Sequence, residues 1–63
     1  MRINREKLAA AMVRLDLNGY QVAERAGVSR GTMTAVKTGK SCSKETAEKL
    51  AAVLGAEIIE ERS

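Results

Sequence analysis

Ala26-Gly27-Val28-Ser29 joins two short stretches of helical apolar spacing and leaves almost no chain with which to change direction. Before it, Val22, Ala23 and Ala26 form the inner face of a segment that Asn18 can cap, with Gln21 placed to reach back as in a capping box. After it, Met33 and Val36 recur three apart, and Ser29 is a good N-cap for a helix over residues 30–38. Gly27 accepts the left-handed backbone that ends a helix, which a side chain would oppose. Two helices joined so tightly must cross closely. Ala23 is small enough to let them, and Val28 can plug the angle as Val36 does one layer on. The chain is committed to short packed helices.

The flanking segments agree. Asn4 caps a first helix, Ile3 can pack on Leu8 as a hydrophobic staple, and Leu8, Ala11, Met12 and Leu15 make its buried stripe. Asp16 to Gly19 break it. Ser43 caps a last helix with Glu45 in its first turn, Ala47, Leu50, Ala51 and Leu54 on one face, and Gly55 at its end. Ile58-Ile59 reads as a short strand or one more helical turn, and the extended form is favoured. The expected fold is all-α: a bundle of four to five short helices, a single domain over residues 1–63 with its core in 4–55 and a tail at 56–63.

Composition narrows the function. Sixty-three residues hold one Cys, no His and one aromatic, Tyr20, so neither an internal disulfide nor a zinc site is available and the core must be aliphatic. A chain this short is expected to be marginally stable. No apolar run has transmembrane length, and residues 1–7 lack the apolar centre of a signal peptide, so a cytoplasmic protein with a free Cys42 thiol is expected. Residues 1–40 carry eight Lys/Arg against three Asp/Glu, and residues 41–63 three against five. The positive balance therefore falls on the half that contains the turn.

A short turn with Gly between two short helices is the helix-turn-helix arrangement, whose second helix enters the DNA major groove. Val22-Ala23, Gly27-Val28-Ser29, Met33 with Val36, Gly39-Lys40, Ser43 with Thr46, Leu50-Ala51 and Leu54-Gly55 stand in order along the chain. As a set, these residues resemble the Cro/CI-type (XRE-like) family, the lambda-repressor-like DNA-binding domain. The match runs from Leu8 to Gly55. It departs in two places. Gly19 stands where such proteins often carry a phosphate-clamping Gln. Met12 and Lys37 stand where they often pair an Arg with a Glu, so Met12 is expected to pack and Lys37 to snorkel outward.

The resemblance turns Arg30, Gly31, Thr32, Thr34 and Ala35 toward the groove. Arg30 is the best base reader, since a guanidinium can take guanine O6 and N7 together, worth roughly 1–3 kcal/mol of discrimination. Thr32 and Thr34 offer hydroxyls and methyls, Ala35 an apolar contact, and Gly31 allows close approach. Asn18, Ser29, Lys37, Thr38, Lys40 and Lys44 would contact phosphates, which position without specifying. The Thr and Lys residues also read as plain solvated surface, Cys42 as a small apolar plug, and Tyr20 as lying over the second helix. The implied function is a sequence-specific transcriptional regulator of prophage or mobile-element type. It would bind pseudo-palindromic double-stranded DNA as a homodimer, with Ile58 and Ile59 exposed on the tail as the dimer contact. The alternative is a protein-interaction module, such as an antitoxin or adaptor, on the same fold. No enzyme, cofactor, metal, small-molecule ligand or membrane is expected.

Overall fold

The computed structural model describes residues 1–60. Its elements run β1 (Arg2–Ile3), α1 (Arg5–Arg14), α2 (Gly19–Ala26), α3 (Arg30–Lys37), α4 (Lys44–Leu54), a 3₁₀ turn (Ala56–Ile58) and β2 (Ile59–Glu60). Each helix starts on a short polar side chain that takes up a free N–H of the first turn. Asn4 Oδ1 accepts from Lys7 N–H at 3.0 Å, Ser29 Oγ from Thr32 N–H at 3.1 Å, and Ser43 Oγ from Thr46 N–H at 3.1 Å. At α2 the capping box is complete: Asn18 Oδ1 accepts from Gln21 N–H at 2.8 Å and Gln21 Oε1 from Asn18 N–H at 3.0 Å.

Three helix ends share one device. Asp16, Gly27 and Gly39 take left-handed backbone, with φ of 55°, 74° and 94°. The N–H of the next residue then donates to the carbonyl five residues back: Leu17 to Met12 at 2.9 Å, Val28 to Ala23 at 3.0 Å and Lys40 to Ala35 at 3.0 Å. This is the Schellman closure. At α1 it corrects the expected stripe. The helix stops at Arg14, Leu15 remains 43% exposed, and Leu17, swung inward past Asp16, packs on the core instead.

The core is aliphatic, as the composition requires. Leu8 and Ala11 of α1, Val22 and Ala23 of α2, Met33 and Val36 of α3, and Ala47, Leu50 and Leu54 of α4 are all buried. Met12 and Val28 pack against them, as expected. Helix α2 lies against α3 and α4, and the 3₁₀ turn lies against α1 and α4. Among the described residues no helix is long and apolar enough to cross a membrane.

The tail overturns one expectation. Ile58 is not an exposed dimer contact: it is 0% exposed and belongs to the core. Ile59, half-buried, pairs with Ile3 in an antiparallel two-stranded sheet in which Arg2 faces Glu60. The Asn4 N–H donates to the Ile58 carbonyl at 2.7 Å. The tail is thus a 3₁₀ turn followed by a strand, and its strand partner is the chain's own beginning. Residues 61–63 lie outside the described residues. Met1 and Cys42 exchange a pair of bonds, the Cys42 N–H donating to the Met1 carbonyl at 2.7 Å and the Met1 ammonium to the Cys42 carbonyl at 2.9 Å. The first residues are therefore held between the tail and the α3–α4 loop.

Removing the Ile58 side chain should therefore act as a core truncation. Ile58→Ala is expected to cost about 2–5 kcal/mol, most of what a core this small supplies, whereas Val13→Ala, at a position 81% exposed, should stay within about 0.5 kcal/mol of wild type. Urea unfolding followed by circular dichroism measures both, and equal midpoints for the two variants would remove Ile58 from the core.

Candidate functional site

The short turn and the cap at Ser29 set α3 with one face inward and one outward. Met33 and Val36 take the inner face, leaving Arg30, Gly31, Thr34 and Lys37 exposed and Thr32 and Ala35 half-buried. Of the expected base-facing set, Arg30, Gly31 and Thr34 thus share the exposed side of one helix, while Thr32 and Ala35 lie toward its flanks. Of the expected phosphate set, Asn18, Ser29, Thr38, Lys40 and Lys44 are exposed as well.

Arg30 does not extend freely. Its guanidinium carbon sits 4.7 Å from the centroid of the Tyr20 ring, on the first turn of α2. At that separation a ring face attracts a cation through its quadrupole. Tyr20 is 60% exposed, so it contributes an outer platform and no core packing. Between the two helices lies a shallow notch of about 240 Å³, lined by Asn18, Gly19, Tyr20, Arg30, Thr34 and Lys37 together with the core residue Met33.

Lys37 closes the other side of the notch. A Cβ built on Gly19 would lie 3.3 Å from Lys37 Nζ and 3.5 Å from Lys37 Cδ. The lysine does not simply snorkel away from the protein. It crosses the start of α2 over the space that the missing Gly19 side chain leaves. Gly19 and Lys37 are therefore spatial neighbours, the long side chain lying over the glycine. A second cation comes from α1: Arg5 lies across Gly39, its Cδ and Nε both 3.2 Å from where a Cβ would stand.

The hydroxyls divide into engaged and free. Ser29 Oγ, already accepting from Thr32 N–H, donates to Thr32 Oγ1 at 2.9 Å. Thr38 Oγ1 donates to the Ala35 carbonyl at 2.8 Å. The Ser29 and Thr38 protons are thus committed to the ends of α3, while Thr32 keeps its own hydroxyl proton. Thr34 lies exposed beside the notch. Charge is not neutralised here. Among the described residues the ion pairs are Arg14 with Glu57 at 3.0 Å and Lys49 with Glu45 at 3.4 Å, and neither involves Arg30, Lys37, Lys40 or Lys44. Nor do any three of His, Cys, Asp and Glu among these residues converge on a metal-sized site. The arrangement can hold an extended anion along several cations and offer one oriented guanidinium to paired acceptors.

Of two further members of this surface, Tyr20 was read from the sequence only as lying over the second helix, and Arg5 was not singled out at all. Tyr20 stands ten positions from Arg30, and Arg5 stands thirty-four from Gly39. No local spacing marks either pairing, which only the crossing of helices creates.

The glycines at 27 and 31 should respond oppositely to a methyl group. Gly31 has open space, a built Cβ meeting nothing closer than Ser29 Oγ at 3.9 Å, whereas Gly27 has a φ of 74°. Gly31→Ala is expected to stabilise the free protein by about 0.5–1 kcal/mol, and Gly27→Ala to destabilise it by about 1–2 kcal/mol. Thermal unfolding of the two variants reads both signs. A Gly31→Ala protein that melts lower would mean that the position serves the fold.

No protein-family model, curated protein or solved structure matches this chain, and what the surface can do follows from its geometry and charge.

Proposed function

We propose that the protein is a sequence-specific DNA-binding transcriptional regulator acting in the cytoplasm, with the outer face of α3 set into the major groove. The observation that carries this reading is that Arg30 and Lys37 line one notch with no ion-pair partner among the described residues, on a helix whose exposed face is otherwise small, with Lys40 and Lys44 exposed in the segment that follows. Lysines hold phosphates, and an arginine at the helix start reads a base edge. The small outer residues Gly31, Thr34 and Ala35 leave the helix free to sit deep. The turn geometry and the resemblance of the sequence to the Cro/CI-type family support the same reading. The Gly19–Lys37 contact fits it too, since an ammonium held over the start of α2 can take the phosphate that a longer residue at position 19 would clamp.

The salt dependence of binding tests this directly. Titration of duplex DNA selected in vitro should give log K falling linearly with log salt, by roughly 0.9 unit per phosphate neutralised. Lys37→Ala should lower the slope by about one phosphate and weaken all sequences alike, whereas Arg30→Ala should relax the preference at one base position by about tenfold or more. A flat salt response, or no duplex binding at low salt, would give the surface to a protein partner instead.

Half-site symmetry requires two copies of the helix, so a homodimer belongs to the same proposal. With Ile58 inside the fold, the large apolar side chains left exposed on or next to α1 are Val13, at 81%, and Leu15, at 43%. Val13→Glu should shift sedimentation toward the monomer at concentrations where the wild type dimerises. An unchanged dimer would exclude this surface.

A further inference from the structure

We infer that Tyr20 is a positioning residue for the base-reading arginine: its ring orients the Arg30 guanidinium so that the side chain discriminates guanine. The inference rests on the DNA-binding reading above and adds to it a residue from the other helix. It begins with what the ring does not do. Tyr20 is 60% exposed and takes no part in the core, while Val22, Ala23, Met33 and Val36 already hold α2 to α3. A bulky aromatic is thus spared from the core of a chain that has only one. What lies over its face, at 4.7 Å, is the guanidinium of Arg30.

Guanine recognition needs two parallel N–H donors in one plane, aimed at acceptors that also share a plane. An exposed arginine samples many rotamers, and most point the fork elsewhere. A ring face under the guanidinium restricts those rotamers by attracting the cation, and it does so without the paired oxygens of a carboxylate, which would take two of its N–H groups at once. Among the described residues no carboxylate pairs with Arg30, so its edge stays available. An ion pair would have fixed the side chain equally well but would have consumed those donors. The Tyr20 hydroxyl is not needed for this role. The ring face is.

The experiment is selection of binding sites from random duplex DNA, followed by titration of the selected site and of a site with the Arg30-dependent guanine replaced. Wild type, Tyr20→Leu, Tyr20→Phe, Arg30→Ala and the Tyr20→Leu/Arg30→Ala double variant are compared. Tyr20→Leu should lower the guanine preference by about three- to tenfold while changing thermal unfolding little, and Tyr20→Phe should retain it. In the Arg30→Ala background the Tyr20→Leu change should have no further effect on that preference. Full guanine preference in Tyr20→Leu overturns the inference, as does an equal loss on every sequence that persists without Arg30. Either leaves the DNA-binding reading standing. A wild type that enriches no duplex at all overturns that reading and this inference with it.

Discussion

The left-handed turn at Gly27 is the constraint on which the rest hangs. Helices of eight residues, such as α2 and α3, do not persist alone in water, because the cost of nucleation is spread over too few bonds. They persist here because each is closed at its ends and pressed against the other. The Val28 N–H returns to the Ala23 carbonyl, and Ser29 then caps α3 at once. No residue is left over for adjustment. That closure fixes where α3 begins, so it fixes that Arg30 rises beside the first turn of α2, where Tyr20 stands. The route from a backbone angle to an oriented guanidinium is only a few residues long.

What the sequence made legible was the part that local chemistry decides. Asn4, Asn18, Ser29 and Ser43 announce helix starts because a short polar side chain has one good use at that place, and all four are caps. The inner faces of α2, α3 and α4 followed from spacing. Leu15 failed that test for a local reason of its own. Asp16 tolerates left-handed backbone, so α1 could close a residue early and give the inward position to Leu17. The strand at Arg2–Ile3 and the burial of Ile58 had no local signal. A two-residue strand has no period, and Ile58 is apolar whether it meets the chain's own core or a second copy. Only the return of the tail to the first residues distinguishes the two.

The functional face divides along the same line. Arg30, Gly31, Thr34 and Lys37 could be assigned to the outside of α3 from the inward pull of Met33 and Val36. Tyr20 and Arg5 could not be attached to that face, because each reaches it from another helix. Gly19 and Lys37 are the instructive pair. Read singly, one is a helix glycine and the other a surface lysine. In three dimensions they are one contact, in which the bare backbone of α2 is covered by a long side chain sent across from α3. Such a contact is hard to see along a chain because eighteen positions separate the two residues.

Gly31 carries the argument one step further. Its space is open, its φ needs no glycine, and alanine would strengthen α3. The fold therefore gives no reason for it. A chain with so small a core has little stability to forgo, and a local choice that lowers it without structural return points to a demand from outside the fold. The demand that fits is close approach by a partner to the first turn of α3, beside the guanidinium that Tyr20 holds. On the proposed reading, positions 20, 30 and 31 would form one device: a ring that holds the arginine, an arginine offered to a base edge, and an absent side chain that lets the helix come close.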